Sequence, residues 1–334
     1  MTESLRSSPS RRHEGTVEHL FHGQRRVHQL ERLVDLNLLG DIRDLQPGRS
    51  RYLVALDEAG YVIDDGLVAA LDRGRFYLCT TSGRAPAMEA WLREWIDRWG
   101  LHVHLLDQTA QLGAILVAGP KARAILERLT DDDVSAEALP HMRHADITVA
   151  DVPCRALRPG FVGEVGFELH HNRSRGPELF DALLEAGRVE GAQPFGLGAL
   201  DVLRLEKGHL YLGQDTLPDD HPAKLGLEWA VAMDKPWFVG KPALERMGAL
   251  PLERTLVGLR VDGEPRRGVP LSAGGRVVGR VTSCARSEIA GGTIALGWVR
   301  AADGSFPTEL VAGAARATVM PTPFYDPEGA RLHA

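Results

Sequence analysis

The chain reads as an α+β protein with a separate C-terminal all-β barrel or sandwich. A β-hairpin pattern opens the body at 51–71, and helical patterns follow at 87–99 and 196–207. From about residue 254 the texture changes to short strands between Gly/Pro turns. At 334 residues, 44% hydrophobic and 25% charged, the chain can bury substantial cores and form two or three soluble domains. A formal net charge of -6 argues against a nucleic-acid-binding surface, and no apolar run approaches the roughly 20 residues of a membrane span. Cys79, Cys154 and Cys284 are odd in number and form no Cys-x-x-Cys pair, which suggests a cytoplasmic, thiol-reduced protein. Residues 1–15 are polar, rich in Ser and Arg and without a hydrophobic stretch, and read as a disordered tail.

The elements follow in order. Val27, Leu30, Leu33 and Val34 have helical spacing. Pro47-Gly48 turns the chain into strands at 51–56 and 61–71, with Asp57-Glu-Ala-Gly60 as the hairpin loop. A strand at 75–81 precedes the helix at 87–99, where Met88, Trp91, Leu92, Trp95, Ile96 and Trp99 share one stripe. That spacing makes the tryptophans core residues rather than a ligand-stacking set. Strand-like segments at 101–106 and 112–118 lead to a helix over 120–129, whose Pro120 suits a first turn. A strand at 166–170 and helices at 177–187 and 196–207 follow. The C-terminal strands are expected at 254–261, 276–283, 293–299 and 309–319, giving boundaries of 16–250 for the main body and 251–330 for the β domain.

Asp64 and Asp65 are the most informative residues. They lie inside an apolar strand pattern, where Asp is depleted and an unpaired buried carboxylate costs several kcal/mol, roughly. Alternation lets at most one reach solvent while the other points toward whatever Val62 faces. That inward carboxylate needs a cationic or hydrogen-bonding partner or a ligand. A strand end with both solvated, or one capping a turn, is the alternative. In Gly163-Glu-Val-Gly-Phe-Glu168, Phe167 and Leu169 share one strand face and Glu168 takes the other. A carboxylate beside glycines suits the N–H-rich edge of a pterin or guanine, and equally a solvent-facing position. Asp201, Arg204 and Glu206 read as a surface or interdomain ion-pair set, and Gly213-Gln-Asp as a turn where functional residues concentrate. His102 and His104 alternate on a strand pattern without a third ligand, so no metal site is assigned.

Taken together, these segments resemble the glycine-cleavage T-protein (aminomethyltransferase) superfamily. Within it they are most similar to the folate-binding C-terminal half of the alpha subunit of heterotetrameric sarcosine oxidase and to dimethylglycine-oxidising enzymes. The resemblance is carried by Leu39-Gly-Asp-Ile, Gly60-Tyr-Val-Ile-Asp64-Asp, Gly163-Glu-Val-Gly-Phe-Glu168, Val202-Leu-Arg-Leu-Glu-Lys-Gly, Gly213-Gln-Asp-Thr, Gly226-Leu-Glu-Trp229 and Phe238-Val-Gly-Lys-Pro-Ala-Leu244, in order from about residue 16 to the end. It implies a three-domain cloverleaf around a channel for tetrahydrofolate. It places Asp64 at the folate nitrogen that takes up the one-carbon unit, Glu168 at the pterin ring, and Tyr52, Phe324 and Tyr325 near the ligand.

Two departures qualify the resemblance. Leu200 stands where aminomethyltransferases proper carry Arg, which argues against service to an aminomethyl-lipoyl protein. The family's longer front segment, ending in Asp-x-Ser, has no counterpart before Gly15, which bears on the completeness of the channel or the independence of the chain. The function implied is capture of a methylene from an N-methyl amine-derived substrate as 5,10-methylenetetrahydrofolate, with a separate flavin-dependent oxidoreductase subunit. Alternatives are a non-catalytic folate-binding or scaffold subunit and a methyl-ether or sulfonium demethylase. The first of these is disfavoured because Lys207-Gly-His209 lacks the Cys of iron–sulfur-assembly relatives.

Overall fold

A computed structural model describes Leu33, residues 40–302 and residues 304–334. The 1–15 tail and all of the 27–34 helical pattern except Leu33 lie outside the described residues. Strands β1 (Ser50–Leu56), β2 (Val62–Asp72) and β3 (Arg75–Thr80) form an antiparallel sheet in that order. One face of the sheet, through Leu53, Ala55, Val68, Ala70 and Phe76, packs on α1 (Ala85–Arg98), which turns Met88, Leu92 and Trp95 inward. Trp91 and Trp99 pack against the same cluster, so the tryptophan stripe is core. The 101–106 segment is not a strand. Leu101, Val103 and Leu105 pack on that core and His102 and His104 face outward, so the alternation is real but joins no ladder.

A second sheet, of order β4-β7-β6-β5, contains β4 (Leu112–Ala118), β5 (His144–Val149), β6 (Val152–Leu157) and β7 (Gly166–Asn172). Its outer core packs Val149, Val152, Phe167 and Leu169 against α2 (Ala122–Leu126) and α3 (Gly176–Gly187). Helix α2 is shorter than the 120–129 pattern suggests. The β5–β6 hairpin was not expected, because its turn residues Ala150 and Asp151 take positive φ (47° and 60°) without the usual Asn-Gly signal.

Helix α4 (Leu197–Glu206) then leads through α5 (Pro222–Leu225) and α6 (Lys241–Gly248) to a closed six-stranded barrel. The barrel consists of β8 (Arg254–Val261), β9 (Pro270–Ala273), β10 (Arg276–Ser287), β11 (Gly292–Arg300), β12 (Glu309–Ala312) and β13 (Ala315–Met320). The 309–319 pattern is two strands, because Gly313 turns the chain at φ 64°. Closure pairs every strand on both sides and leaves no exposed edge.

The inner faces of the first two sheets meet. Ala69, Tyr77 and Cys79 of the first pack against Leu157 of the second. The barrel joins the first sheet through a shared core of Val54, Leu56, Val62, Phe238 and Trp298. Among the described residues, no helix is long and apolar enough to cross a membrane.

Candidate active site

The site is built around an irregularity in β2. Cross-strand partners run Ala55↔Asp64, Val54↔Asp65 and Leu53↔Gly66, but Leu56 pairs with Val62, so Ile63 is an extra residue. This β-bulge turns Ile63 and Asp64 to the α1 side while Val62 and Asp65 look toward the second sheet and the barrel. Strict alternation would have put Asp64 on the face of Val62. The bulge gives that place to Asp65.

Asp64 is 1% exposed. Its Oδ2 accepts the Thr81 backbone N–H at 3.2 Å, and its Oδ1 has no hydrogen-bond partner. Burial pushes its carboxyl above the ordinary value, against the hydrogen bonds from Thr81. It borders a cavity of about 280 Å³, open space included, lined by Leu53, Ala55, Gly66, Leu78, Thr80 and Met88 among others. Gly66 is required beside it, since a Cβ there would lie 1.9 Å from the Cys79 carbonyl oxygen.

Asp65 accepts the Tyr52 hydroxyl at 2.7 Å. Burial raises its carboxyl to about 6, the bond from Tyr52 lowers it, and the nearby Asp64 charge raises it. The Tyr52 ring in turn stacks on Trp229, with centroids 5.4 Å apart and planes at 23°. Trp229 is 72% exposed, which is unusual for a ring with a fixed partner. The pair was visible as two sequence motifs, but their contact was not.

Glu168 sits on β7 opposite Leu116 and Leu157, while Phe167 and Leu169 are fully buried on the other face, as alternation requires. Because Leu157 packs on Ala69, Tyr77 and Cys79, Glu168 lies on the side of its sheet that faces the sheet of Asp65. Its Oε2 is 3.4 Å from His170 Nε2, and His170 Nδ1 is 2.7 Å from the Tyr77 hydroxyl. Tyr77 was not singled out from sequence, and His170 only as one of two adjacent histidines that cannot both point inward on a strand. A strand tyrosine and one member of a His-His pair carry no local signal.

Phe324 packs with Leu205, Ile294 and Leu296. Tyr325 stands beside Glu164 and Arg331, and both backbone amides donate to the Glu206 carbonyl. The Gly213-Gln-Asp turn is structural. Arg204 and Asp215 are fully buried and 2.8 Å apart, and Asp215 also accepts Thr282, Ser283 and the Tyr211 amide. The Asp201–Arg204 set is therefore the interdomain alternative, a bolt between α4 and β10.

The sequence of residues 18–235 matches the GCVT N-terminal domain, and that of residues 254–326 matches the glycine cleavage T-protein C-terminal barrel domain. An aminomethyltransferase from Symbiobacterium thermophilum is 35% identical over 318 residues, covering 92% of this chain and 85% of the relative. Human mitochondrial dimethylglycine dehydrogenase is 35% identical over 232 residues, 68% of this chain but 27% of that enzyme. The crystal structure of the glycine cleavage system aminomethyltransferase T from Bartonella henselae superposes with a TM-score of 0.77 at 28% identity, covering 89% of this chain and 81% of that one. Matched domains, relatives and fold agree along nearly the whole chain, which belongs to the glycine cleavage T-protein (aminomethyltransferase) family.

Proposed function

We propose that the protein is a tetrahydrofolate-dependent one-carbon transferase. It takes a methylene from an N-methyl amine-derived substrate to give 5,10-methylenetetrahydrofolate, with a flavin-dependent oxidoreductase subunit supplying the oxidised amine. The observation that carries this reading is that Asp65, with Tyr52, and Glu168 stand on the facing sides of two packed sheets. These residues fit a reduced folate. Glu168 offers a carboxylate to an N–H-rich ring edge, and the Tyr52–Trp229 pair offers an aromatic wall.

Tetrahydrofolate, when bound, supplies the nitrogen that takes up the one-carbon unit. The role that the resemblance gave to Asp64 passes in this proposal to Asp65, because the bulge aims Asp65 at Glu168's side and Asp64 at α1. With its carboxyl at about 6, Asp65 is mostly ionised at neutral pH yet basic enough to accept a proton. Tyr52 holds it in place and steadies its charge. Holding the reactants together supplies most of the acceleration, since a fixed nitrogen then outcompetes water.

We assign the donor to the N-methyl amines because Leu200, the fourth residue of α4, offers no charge to a carrier protein. Transfer from an aminomethyl carrier is the second reading, supported by the nearly full-length match to an aminomethyltransferase. The test is calorimetric titration with tetrahydrofolate beside Glu168→Ala, then turnover with an enzymatically oxidised N-methyl amine or an aminomethyl-lipoyl donor. Micromolar binding lost in Glu168→Ala supports the folate site, and the donor that turns over decides between the readings. A folded chain that binds nothing at millimolar ligand overturns both.

A further inference from the structure

The contact between Tyr77, His170 and Glu168 joins two sheets through polar groups, with the Tyr77 ring itself packed in the layer between them. Tyr77 comes from β3, and His170 and Glu168 come from one face of β7. The Tyr77 hydroxyl lies 2.7 Å from His170 Nδ1, and His170 Nε2 lies 3.4 Å from Glu168 Oε2. The rings of Tyr77 and His170 meet edge to face at 5.7 Å. Arg155, opposite His170 on β6, covers the Tyr77 ring at 5.0 Å and is itself paired with Asp146 at 2.8 Å. Cys79 packs beside Tyr77 on the same face of β3.

The order of protons follows. Burial holds the Tyr77 hydroxyl far above its ordinary value and pushes the Cys79 thiol up to about 12, so both stay protonated. The Glu168 carboxylate only accepts, so the ring nitrogen facing it carries a proton, and Nδ1 is left to accept from the Tyr77 hydroxyl. The imidazole proton is then on Nε2, facing the Glu168 carboxylate.

We propose that His170 is a positioning residue for Glu168. Held as the Nε2–H tautomer by Tyr77, it donates to one carboxylate oxygen and leaves the other directed at the ligand. This rests on the folate reading for what Glu168 binds, but the tautomer and the His170–Glu168 bond do not. A carboxylate on a strand with 26% side-chain exposure otherwise has rotamers to choose among. The relay selects one and ties it to the sheet that carries Asp65. Ligand affinity thus depends on residues that do not touch the ligand.

The test uses the full chain with ¹⁵N-histidine and ¹³C-carboxyl glutamate. The wild type should show His170 as the Nε2–H tautomer, and Tyr77→Phe should raise the Nδ1–H fraction. His170→Leu should move the Glu168 carboxyl signal, identified by its loss in Glu168→Gln, and His170→Gln should largely restore it. Calorimetry with tetrahydrofolate should show about tenfold weaker binding for Tyr77→Phe and His170→Leu, and recovery to within about threefold for His170→Gln, as loss of one hydrogen bond to a charged group implies. An Nδ1–H wild type, or a Glu168 signal indifferent to His170→Leu, overturns the proposal. The same spectra with no tetrahydrofolate binding by the wild type would retain the relay and remove the folate reading.

Discussion

Burial of Asp65 sets the stability of the fold against the basicity that the proposed mechanism asks of this carboxylate. Its carboxyl is raised from 3.8 to about 6 on folding, chiefly by burial, so the folded state holds the proton more tightly than the unfolded chain. The sign is opposite to that of a salt-bridged carboxylate. The stabilising contribution is complete below the unfolded value and is lost as pH rises through about 6. Two units correspond to roughly 3 kcal/mol, an order-of-magnitude figure. Asp65→Asn, which can still accept from Tyr52, should therefore be more stable than wild type at pH 7 and nearly equal to it at pH 4, by urea denaturation. The same variant should turn over about 10²- to 10⁴-fold more slowly, the span usual for a lost general base. Wild-type turnover should fall as pH drops below about 6, and the variant's should not. A variant that is both less stable and fully active would remove Asp65 from the mechanism.

Among the elements, the α4–β10 junction is held by a network of buried polar contacts. Arg204 is fully buried yet reaches Asp201, Asp215, Ser283 and the His209 carbonyl, and Trp298 donates to the Asp215 carbonyl. Breaking such a network on one side leaves an uncompensated charge. Asp215→Ala should cost about 3–5 kcal/mol, measured by chemical denaturation, whereas an exposed pair such as Arg188–Glu185 should contribute less than about 1 kcal/mol. The elements also show where pattern reading succeeds. The hairpin, α1, β7 and most barrel strands were visible because their periodicity matches the face they bury. The stretch from Leu101 to Leu105 alternates as a strand would, yet its hydrogen bonds are not those of a ladder. Periodicity reports a buried side, and pairing requires a neighbour that a local window does not contain.

For the molecule as a whole, the shared core of Val54, Leu56, Val62, Phe238 and Trp298 joins the first sheet to the barrel, so the two should unfold together. Leu56, fully buried there, should cost about 2–5 kcal/mol when replaced by Ala, the usual range for a buried aliphatic truncation. Calorimetry should show the single transition moving down as one peak. A split in which the barrel melts unchanged would mean that the interface contributes little to either part.

The sequence alone determined the α+β class, the C-terminal all-β region, the family resemblance and the carboxylates at 64, 65 and 168, because these follow from local pattern and ordered motifs. The fold decided which carboxylate faces the second sheet. One extra residue at Ile63 reverses the facing of everything after it, and a bulge shows only in the register against β1. Tyr77 and His170 lie 93 residues apart and touch because two sheets pack face to face, a contact between distant segments that neither segment's own periodicity contains.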